Sequence, residues 1–206
     1  MYKLRFYFSK NDEVKYVGHL DTIELFDRAF RRAKLPIAFS EGFNPRPKLA
    51  FAHPLAVGIS SNGEIGEVEL SIKIPEEEFV IKLNHALPQP IRIQKAEYTE
   101  EKKSLMSLVT SATYTIKIEE EAITVELIDE MLNKEKIEIE KTSKSGKISI
   151  VDIKPLILSW KWIEKANKVF EVELKTGSNE NLRPDTIVKL FDNIEKYKII
   201  REKIKI

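Results

Sequence analysis

The first hundred residues carry hydrophobic residues at two different spacings, and the spacings predict strands and a helix. Residues 2–10 (YKLRFYFSK) hold apolar side chains at every second position, as in a strand with one buried face: Leu4, Phe6 and Phe8. Residues 18–36 instead hold an apolar stripe at spacings of three and four: Leu20, Ile23, Phe26, Phe30 and Ala33. This stripe predicts an amphipathic helix that has His19 or Asp21 as its N-cap and ends before Pro36.

The next segments complete a six-element unit. Residues 48–59 predict a strand interrupted at Pro54, and SSNGE (60–64) predicts a turn. Residues 65–74 alternate, which predicts a strand whose inner face holds Val68, Leu70, Ile72 and Ile74. Residues 75–88 open with a proline and three glutamates, as a helix does, and residues 91–99 alternate again. The order strand, helix, strand, strand, helix, strand is that of a ferredoxin-like βαββαβ unit, which we place at residues 1–100.

A looser version of the same pattern predicts a second unit at residues 110–206. Its predicted elements are a strand, a helix, a hairpin that turns at Ser145–Gly146, another strand, a helix at 183–194 and a closing strand. Additional residues around PLILSWKWIEK (155–165) form an insertion in this pattern. The predicted fold class is therefore α+β, with two tandem ferredoxin-like (βαββαβ) units, the second with an insertion.

Composition narrows the chemistry that the chain can perform. With 42% hydrophobic residues the 206-residue chain can bury a core, and no apolar run approaches the roughly 20 residues of a membrane span. The chain has no cysteine, which excludes disulfides, thiolate zinc sites and iron–sulfur clusters. Its three histidines are far apart in sequence, so we expect neither a metal nor a cofactor. The first residues do not resemble a signal peptide, and we expect a cytoplasmic protein that does not enter a membrane.

Charge is balanced overall but not along the chain. The net charge is +1, whereas the first 56 residues contain ten basic and six acidic residues. Within them, the string FSEGFNPRPKLAFAHPL (39–55) has a composition that suits neither a helix nor a regular strand. Pro45 and Pro47 stiffen its backbone, Gly42 permits close approach, and Arg46 and Lys48 lie beside the aromatic ring of Phe43. Stiff backbone, cations and a ring suit single-stranded RNA, in which bases stack and phosphates are held by cations.

The preceding helix adds further candidates. Arg28 and Arg32 are four residues apart, so they repel each other and form a pair that suits a phosphate or carboxylate. His19, held neutral at a helix N-terminus beside Asp21, suits base stacking or general base catalysis. Each residue also has a structural explanation, since Arg28 can pair with Glu24 and His19 can be a helix cap. Phe43 can likewise turn into the core, as we expect Phe39 and Phe51 to do.

The string GHLD…RAFRRAKLPIAFSEGFNPRPKLAFAHPLAVGISSNGE resembles an uncharacterised bacterial family of radical SAM-associated, or radical SAM-linked, proteins. The resemblance extends from Val17 to Glu64 and more loosely to VDIKP, which ends at Pro155, and LRPD (182–185). Members are fused to, or encoded beside, B12-binding radical SAM proteins, which implies such a protein as a partner. Many members have histidine where this chain has Arg46, which argues against a histidine-dependent site in the loop. Since a radical SAM cluster needs three cysteines, this chain is expected to be the partner module.

These observations predict a non-catalytic module that binds RNA or presents it to a radical SAM enzyme, in RNA modification or processing. Two alternatives stay open: an RNA-cleaving or RNA-modifying enzyme that uses His19 and Asp21, and a protein–protein adaptor that does not bind nucleic acid. The predicted ligand-binding residues lie on the first helix and on the string that follows it: His19, Asp21, Arg28, Arg32, Ser40, Gly42, Phe43, Asn44, Arg46 and Lys48.

Overall fold

A computed structural model describes residues 1–142, 146, 148–177, 180–191 and 194–206. Over these ranges the chain is mixed α/β, with a large, mostly antiparallel sheet and five α-helices. It divides into two compact units. The first contains Met1–Thr110 together with Ile200–Ile206, and the second contains Ser111–Ile199. None of the described helices combines the length and apolar character needed to span a bilayer.

The first unit is built on three antiparallel strands. Its elements are β1 (Tyr2–Lys10), α1 (His19–Arg32), β2 (Leu49–Phe51), β3 (Ser60–Leu70), α2 (Glu76–Ala86), β4 (Ile91–Tyr98) and the short α3 (Leu105–Leu108). β1 lies between β3 and β4, and Phe6 is opposite Gly66 on one side and Ala96 on the other. β2 pairs antiparallel with the last part of β3. The six elements from β1 to β4, excluding short turns, follow the order that the sequence predicts.

The chain returns to the first unit at its end. The last strand runs from Tyr197 to Lys205 and is β10 in chain order. Its Ile200 and Arg201 pair in parallel with Ser60 and Ser61 at the start of β3. Residues far apart in sequence therefore meet at the beginning of β3.

The core of the first unit lies between one face of this sheet and the helices α1 and α2. The inward side chains of β1 are fully buried, as their alternation predicts: Leu4, Phe6 and Phe8. The ring of Phe6 lies 5.6 Å from that of Phe26 on α1 and 5.9 Å from that of Phe79 on α2. Burial of each such side chain contributes about 1.5–3 kcal/mol, so these rings supply much of the stability of the unit.

Several details of the first unit differ from the predictions. Leu20 is 74% exposed, because the buried stripe of α1 follows Thr22, Phe26, Ala29 and Phe30. Neither His19 nor Asp21 caps this helix: Gly18 occupies the N-cap, and His19 is the first helical residue. Ile72 is exposed because β3 ends at Leu70 and the chain turns, with the Ser71 amide donating to the Pro36 carbonyl.

SSNGE (60–64) is not a turn but the first part of β3. The reason is its pairing with the C-terminal strand, since Ser61 Oγ donates to the Arg201 carbonyl at 3.0 Å. Gly63 allows the two backbones to approach: a Cβ at this position would lie 2.8 Å from Cα of Lys203. The small and polar residues of this segment suggest a turn in the sequence, but in the structure they allow β3 to pack closely against the neighbouring strand.

The second unit contains two separate pieces of sheet. Its elements are β5 (Ser111–Ile118), α4 (Val125–Asn133), β6 (Glu138–Thr142), β7 (Ile148–Asp152), β8 (Ile157–Glu164), β9 (Val169–Lys175) and α5 (Pro184–Val188). β9 lies between β5 and β8 and is antiparallel to both. β6 and β7 form the predicted hairpin as a sheet of their own. Of its predicted turn at Ser145–Gly146, Ser145 lies outside the described residues.

The residues that the sequence analysis treated as an insertion belong to the large sheet. PLILSWKWIEK supplies β8, a regular strand that pairs with β9 through residues such as Trp160 opposite Val172. The β6–β7 hairpin is the part that pairs with no other described strand. The predicted helix at 183–194 also ends early, at Val188, and residues 192 and 193 of that prediction lie outside the described residues.

Candidate functional site

The string that follows α1 forms a small closed loop. The backbone N–H of Ser40 donates to the Arg46 carbonyl at 2.8 Å, and the N–H of Arg46 donates to Ser40 Oγ at 3.0 Å. A bridge between Phe39 and Pro47 closes the base of the loop. Gly42 has a φ of 122°, which strongly favours glycine. We call residues 40–46 the 40–46 loop, and these contacts give it a defined shape.

The three phenylalanines of the string have different environments. Phe51 is 7% exposed and contacts the rings of the core, while Phe39 is partly buried beneath the guanidinium of Arg31 at 4.7 Å. Phe43 is completely exposed. A loop held by Ser40 and Arg46 thus presents one aromatic ring to solvent.

The loop and α1 form the walls of a groove, which we call the α1 groove. It encloses about 780 Å³ and is lined by Ile23, Glu24, Asp27, Arg28, Asn44, Pro45, Arg46, Pro47 and Leu49. Two of the predicted cations, Arg28 and Arg46, therefore both line it. The Arg28 guanidinium lies 3.9 Å from Glu24 and is 64% exposed, so this ion pair is weak and its cation is accessible.

Other predicted residues lie elsewhere. Arg32 leaves the groove, because its Nη2 donates to the Ala86 carbonyl at the end of α2, at 2.8 Å. Lys48 forms an ion pair with Glu69 at 3.2 Å beside β2 and does not line the groove. Arg28 and Arg32 thus do not act as one pair of cations, although they are one helical turn apart.

His19 lines a second and much smaller cavity, which we call the His19 cavity. It has a volume of about 20 Å³ and is lined by Phe8, Lys10, His19, Thr22, Phe51, His53, Leu55 and Glu64. Such a volume holds about one water molecule. The His19 ring meets the Phe51 ring edge-on at 5.9 Å. Asp21 is exposed and does not line the cavity.

A buried ion pair lies beside this cavity. Arg201 is 1% exposed and Glu64 is 4% exposed, and Nε of Arg201 donates to Glu64 Oε1 at 2.7 Å, with a second bond between Nη2 and Oε2. Arg201 also donates to the carbonyls of His53 and Pro54. The guanidinium therefore fixes the backbone that carries His53, and its planar group satisfies several acceptors at once.

Burial changes the acidity of the groups at the His19 cavity. Desolvation is the main cause that lowers the pKa of Lys10, and the positive charge of Arg201 lowers it further, against the opposing effect of Glu64. Desolvation likewise lowers the pKa of His19 and of His53 below that of a free imidazole. The Nδ1–H of His53 donates to the Pro54 carbonyl at 3.1 Å, which leaves Nε2 with the lone pair. Both imidazoles are consequently neutral at pH 7.

The part of the chain that the structure describes contains no group of three His, Asp or Glu side chains suited to a metal ion. At the His19 cavity, the cations Lys10 and Arg201 lie beside the two imidazoles and the carboxylate of Glu64. Two adjacent cations disfavour a divalent metal, so the cavity suits other ligands better.

Sequence reasoning gave no role to Lys10, Glu64 or Arg201, and it considered His53 only as an isolated imidazole. Lys10 carried a usable signal, since it continues the every-second-position register of Leu4, Phe6 and Phe8 and is therefore turned inward. Glu64 and Arg201 had no such signal, because 136 residues separate them in the chain. Their pairing depends on the return of the last strand to β3.

The sequence matches one family model over residues 3–184, that of uncharacterised proteins conserved in bacteria (DUF2344). The chain belongs to this family. The match includes β1, α1, the 40–46 loop and β3, and thus all the residues of the α1 groove. No curated protein matches the sequence. The family description assigns no activity, so a function must be argued from the residues of the groove and the cavity.

Proposed function

We propose that the chain is a non-catalytic module that binds single-stranded RNA in the α1 groove. The observation that carries this proposal is the exposed ring of Phe43 on a closed loop whose Asn44 and Arg46 line one groove together with Arg28. The ring stacks on a base, and the two guanidinium groups contact phosphates on either side. Base–aromatic stacking contributes about 1–3 kcal/mol per base, which is enough to make this ring the main determinant of affinity.

The order of the loop supports this function. The hydrogen bonds between Ser40 and Arg46, together with Pro45 and Pro47, already hold the loop in one conformation. A ligand therefore does not have to order it, and less of the interaction energy is lost on binding. The amide of Asn44, on the same wall of the groove, supplies hydrogen bonds to a base edge.

The acidic residues of the groove limit where phosphates bind. Glu24 and Asp27 line the α1 side, and Asp27 accepts from Arg31 at 2.8 Å. A phosphate must approach Arg28 from the loop side, where it replaces the weak contact to Glu24. Since exposed ion pairs contribute only about 0–1 kcal/mol, this exchange costs little.

The resemblance to radical SAM-associated proteins extends the proposal to a partner. We propose that the module presents RNA to a B12-binding radical SAM enzyme for modification or processing. The 206 residues contain no cysteine, so the cluster of such an enzyme has to come from other residues than these. The finer fold assignment, two tandem ferredoxin-like units, belongs to the same proposal, and the element order of the first unit supports it.

Fluorescence anisotropy with short oligouridylate and oligoadenylate tests the RNA proposal. Two phosphate contacts on a single strand predict a slope of about −1.4 in a plot of log affinity against log salt, and removal of Arg28 or Arg46 reduces this slope by about 0.7. Phe43→Leu keeps an apolar side chain but removes the stacking surface. It should weaken binding about tenfold at unchanged salt slope.

Lys82→Ala provides the matched control for Arg28→Ala. Lys82 lies on α2 and, like Arg28, is exposed and forms an i,i+4 ion pair, here with Glu78. Its loss should leave affinity unchanged, as should Arg32→Met outside the groove. RNA binding that persists in an Arg28→Ala/Arg46→Ala variant contradicts the proposal. If the chain binds no RNA but binds a radical SAM partner equally well with and without RNA present, the result favours a protein adaptor.

A further inference from the structure

The buried ammonium group of Lys10 raises a question that the RNA proposal does not answer. Lys10 is only 3% exposed, on the inner face of β1. Its Nζ donates to the Val17 carbonyl, and no carboxylate of the described residues forms an ion pair with it. An ammonium group carries three donors, and a buried charge without an opposite charge is costly. Lys10 lines the His19 cavity, so a group that enters the cavity can accept from its remaining donors.

The neighbouring carboxylate of Glu64 attracts Lys10, but both of its oxygens accept from Arg201, whose positive charge acts on Lys10 in the opposite sense. Asp21 on α1 attracts Lys10 at longer range but is exposed and is not part of the cavity wall. The charged groups around the cavity are therefore Lys10 on β1, the Glu64–Arg201 pair, and Asp21 at its edge. The helix α1 begins at His19, and its N-cap Gly18 has no side chain that could accept from the first N–H groups.

We propose that the His19 cavity is a binding site for an anionic oxygen group, a carboxylate or a phosphate, held by Lys10 with His19 and His53. The cavity admits about one water-sized group, so one oxygen of the ligand enters it and the remainder stays at the mouth. Lys10 supplies the charge, and the imidazoles supply donors once one or both are protonated. This site does not use Phe43, Arg28 or Arg46, and it stands independently of the proposed RNA binding.

The proposal has a definite pH dependence. A bound anion favours the charged form of the imidazoles, so affinity rises as the pH falls below neutrality. The dependence therefore reports on His19 and His53.

Histidine side-chain NMR tests this site directly, because the chain has three histidines and two of them line the cavity. The protein is titrated with sodium phosphate, sodium acetate and, at equal ionic strength, sodium chloride. The resonances of His19 and His53 should shift saturably with at least one of the two oxyanions, more strongly at lower pH. The resonance of His85, on α2, provides an internal reference in every titration.

Lys10→Met should weaken the binding at least tenfold, whereas Lys3→Met should leave it unchanged. Lys3 is the matched control, since it is a partly buried lysine of the same strand and donates to the Glu101 carbonyl. If Lys10→Met fails to fold, Lys10→Gln keeps a polar group of similar length, and the same loss is expected.

The two oxyanions distinguish the source of the ligand. Saturation by phosphate alone indicates a phosphate ester, and saturation by acetate alone or by both indicates a carboxylate. Shifts that do not saturate, that chloride reproduces equally, or that Lys10→Gln retains at full affinity overturn the proposal. Failure of RNA binding at the α1 groove leaves these expectations unchanged.

Discussion

Arg201 and Glu64 form a buried, two-bond ion pair between the last strand of the chain and the start of β3. Both residues are less than 5% exposed. Arg201 also donates to the carbonyls of His53 and Pro54, so the pair holds one wall of the His19 cavity. It thus connects the C-terminal strand, β3 and the segment after β2 at a single point.

Removal of one partner of this pair should be strongly destabilising. Arg201→Met leaves the carboxylate of Glu64 buried without its cation and two carbonyls without a donor. Loss of one member of a buried pair costs about 3–5 kcal/mol, and the same is expected for Glu64→Leu. Urea unfolding followed by circular dichroism measures the change in free energy of unfolding.

The double variant Arg201→Met/Glu64→Leu serves as the control. It removes both charges together, so it should be more stable than either single variant, because no uncompensated charge stays buried. Additive losses in the double variant would contradict a direct ion pair as the source of the effect.

Substitution of Phe51 and substitution of Phe43 should have very different effects on stability, although both residues lie in the segment 39–55. Phe51→Ala removes a ring that packs against Phe6, Phe8 and Phe26, and the cavity that it leaves should cost about 3–5 kcal/mol. Phe43→Ala removes a completely exposed ring, so stability should change by less than about 0.5 kcal/mol. Thermal unfolding of both variants tests this. A large loss of stability in Phe43→Ala would show that the ring belongs to the core rather than to a binding surface.

In the first unit, the sequence predicts a helix or strand correctly where the spacing of its own hydrophobic residues is regular. β1, α1 and α2 were recognised because their buried faces consist of residues that are local in sequence, such as Leu4, Phe6 and Phe26. The start of β3 was mistaken for a turn, because its partner is the strand that contains Arg201. A pairing across almost the whole chain leaves no periodic signal in either segment.

The same limit applies to the candidate site. Sequence reasoning grouped Arg28 with Arg46, and both line the α1 groove because the helix and the loop are adjacent in the chain. It placed Arg32 with them from helical spacing alone, but the guanidinium turns toward the end of α2. The hydrogen-bond partner of a long side chain depends on which groups lie near it in space, and the spacing of residues along one helix does not specify those groups.

The glycines of β3 should resist substitution for two separate steric reasons. A Cβ on Gly66 would lie 2.7 Å from Cε2 of Phe6, and a Cβ on Gly63 would overlap the backbone of Glu202 and Lys203. Gly66→Ala should cost about 1–3 kcal/mol by forcing the core ring to move. Gly63→Ala should cost more, because backbone cannot turn away as a ring can.

Asn62→Ala, at the exposed position beside Gly63, is the control for these variants, since it removes only a surface hydrogen bond to Glu202. Chemical denaturation should place its loss well below that of Gly63→Ala. Equal losses in the two variants would mean that the close approach of the strands is not what requires glycine.

Stability should also fall in mild acid because of the two histidines of the His19 cavity. Burial lowers the pKa of His19 and of His53, so between the ordinary imidazole value of about 6.5 and these lower values the unfolded chain binds more protons than the folded chain. Their contribution to the free energy of unfolding is therefore complete above about pH 6.5 and is lost as the pH falls through this window. The comparison that isolates it is the change between about pH 7.5 and about pH 5 in the wild type and in His19→Gln/His53→Gln, because all carboxylates are common to both proteins. The double variant should lose less stability on acidification than the wild type. Equal losses would show that the two imidazoles are as easily protonated in the folded chain as in the unfolded one, and so that the cavity does not bury them.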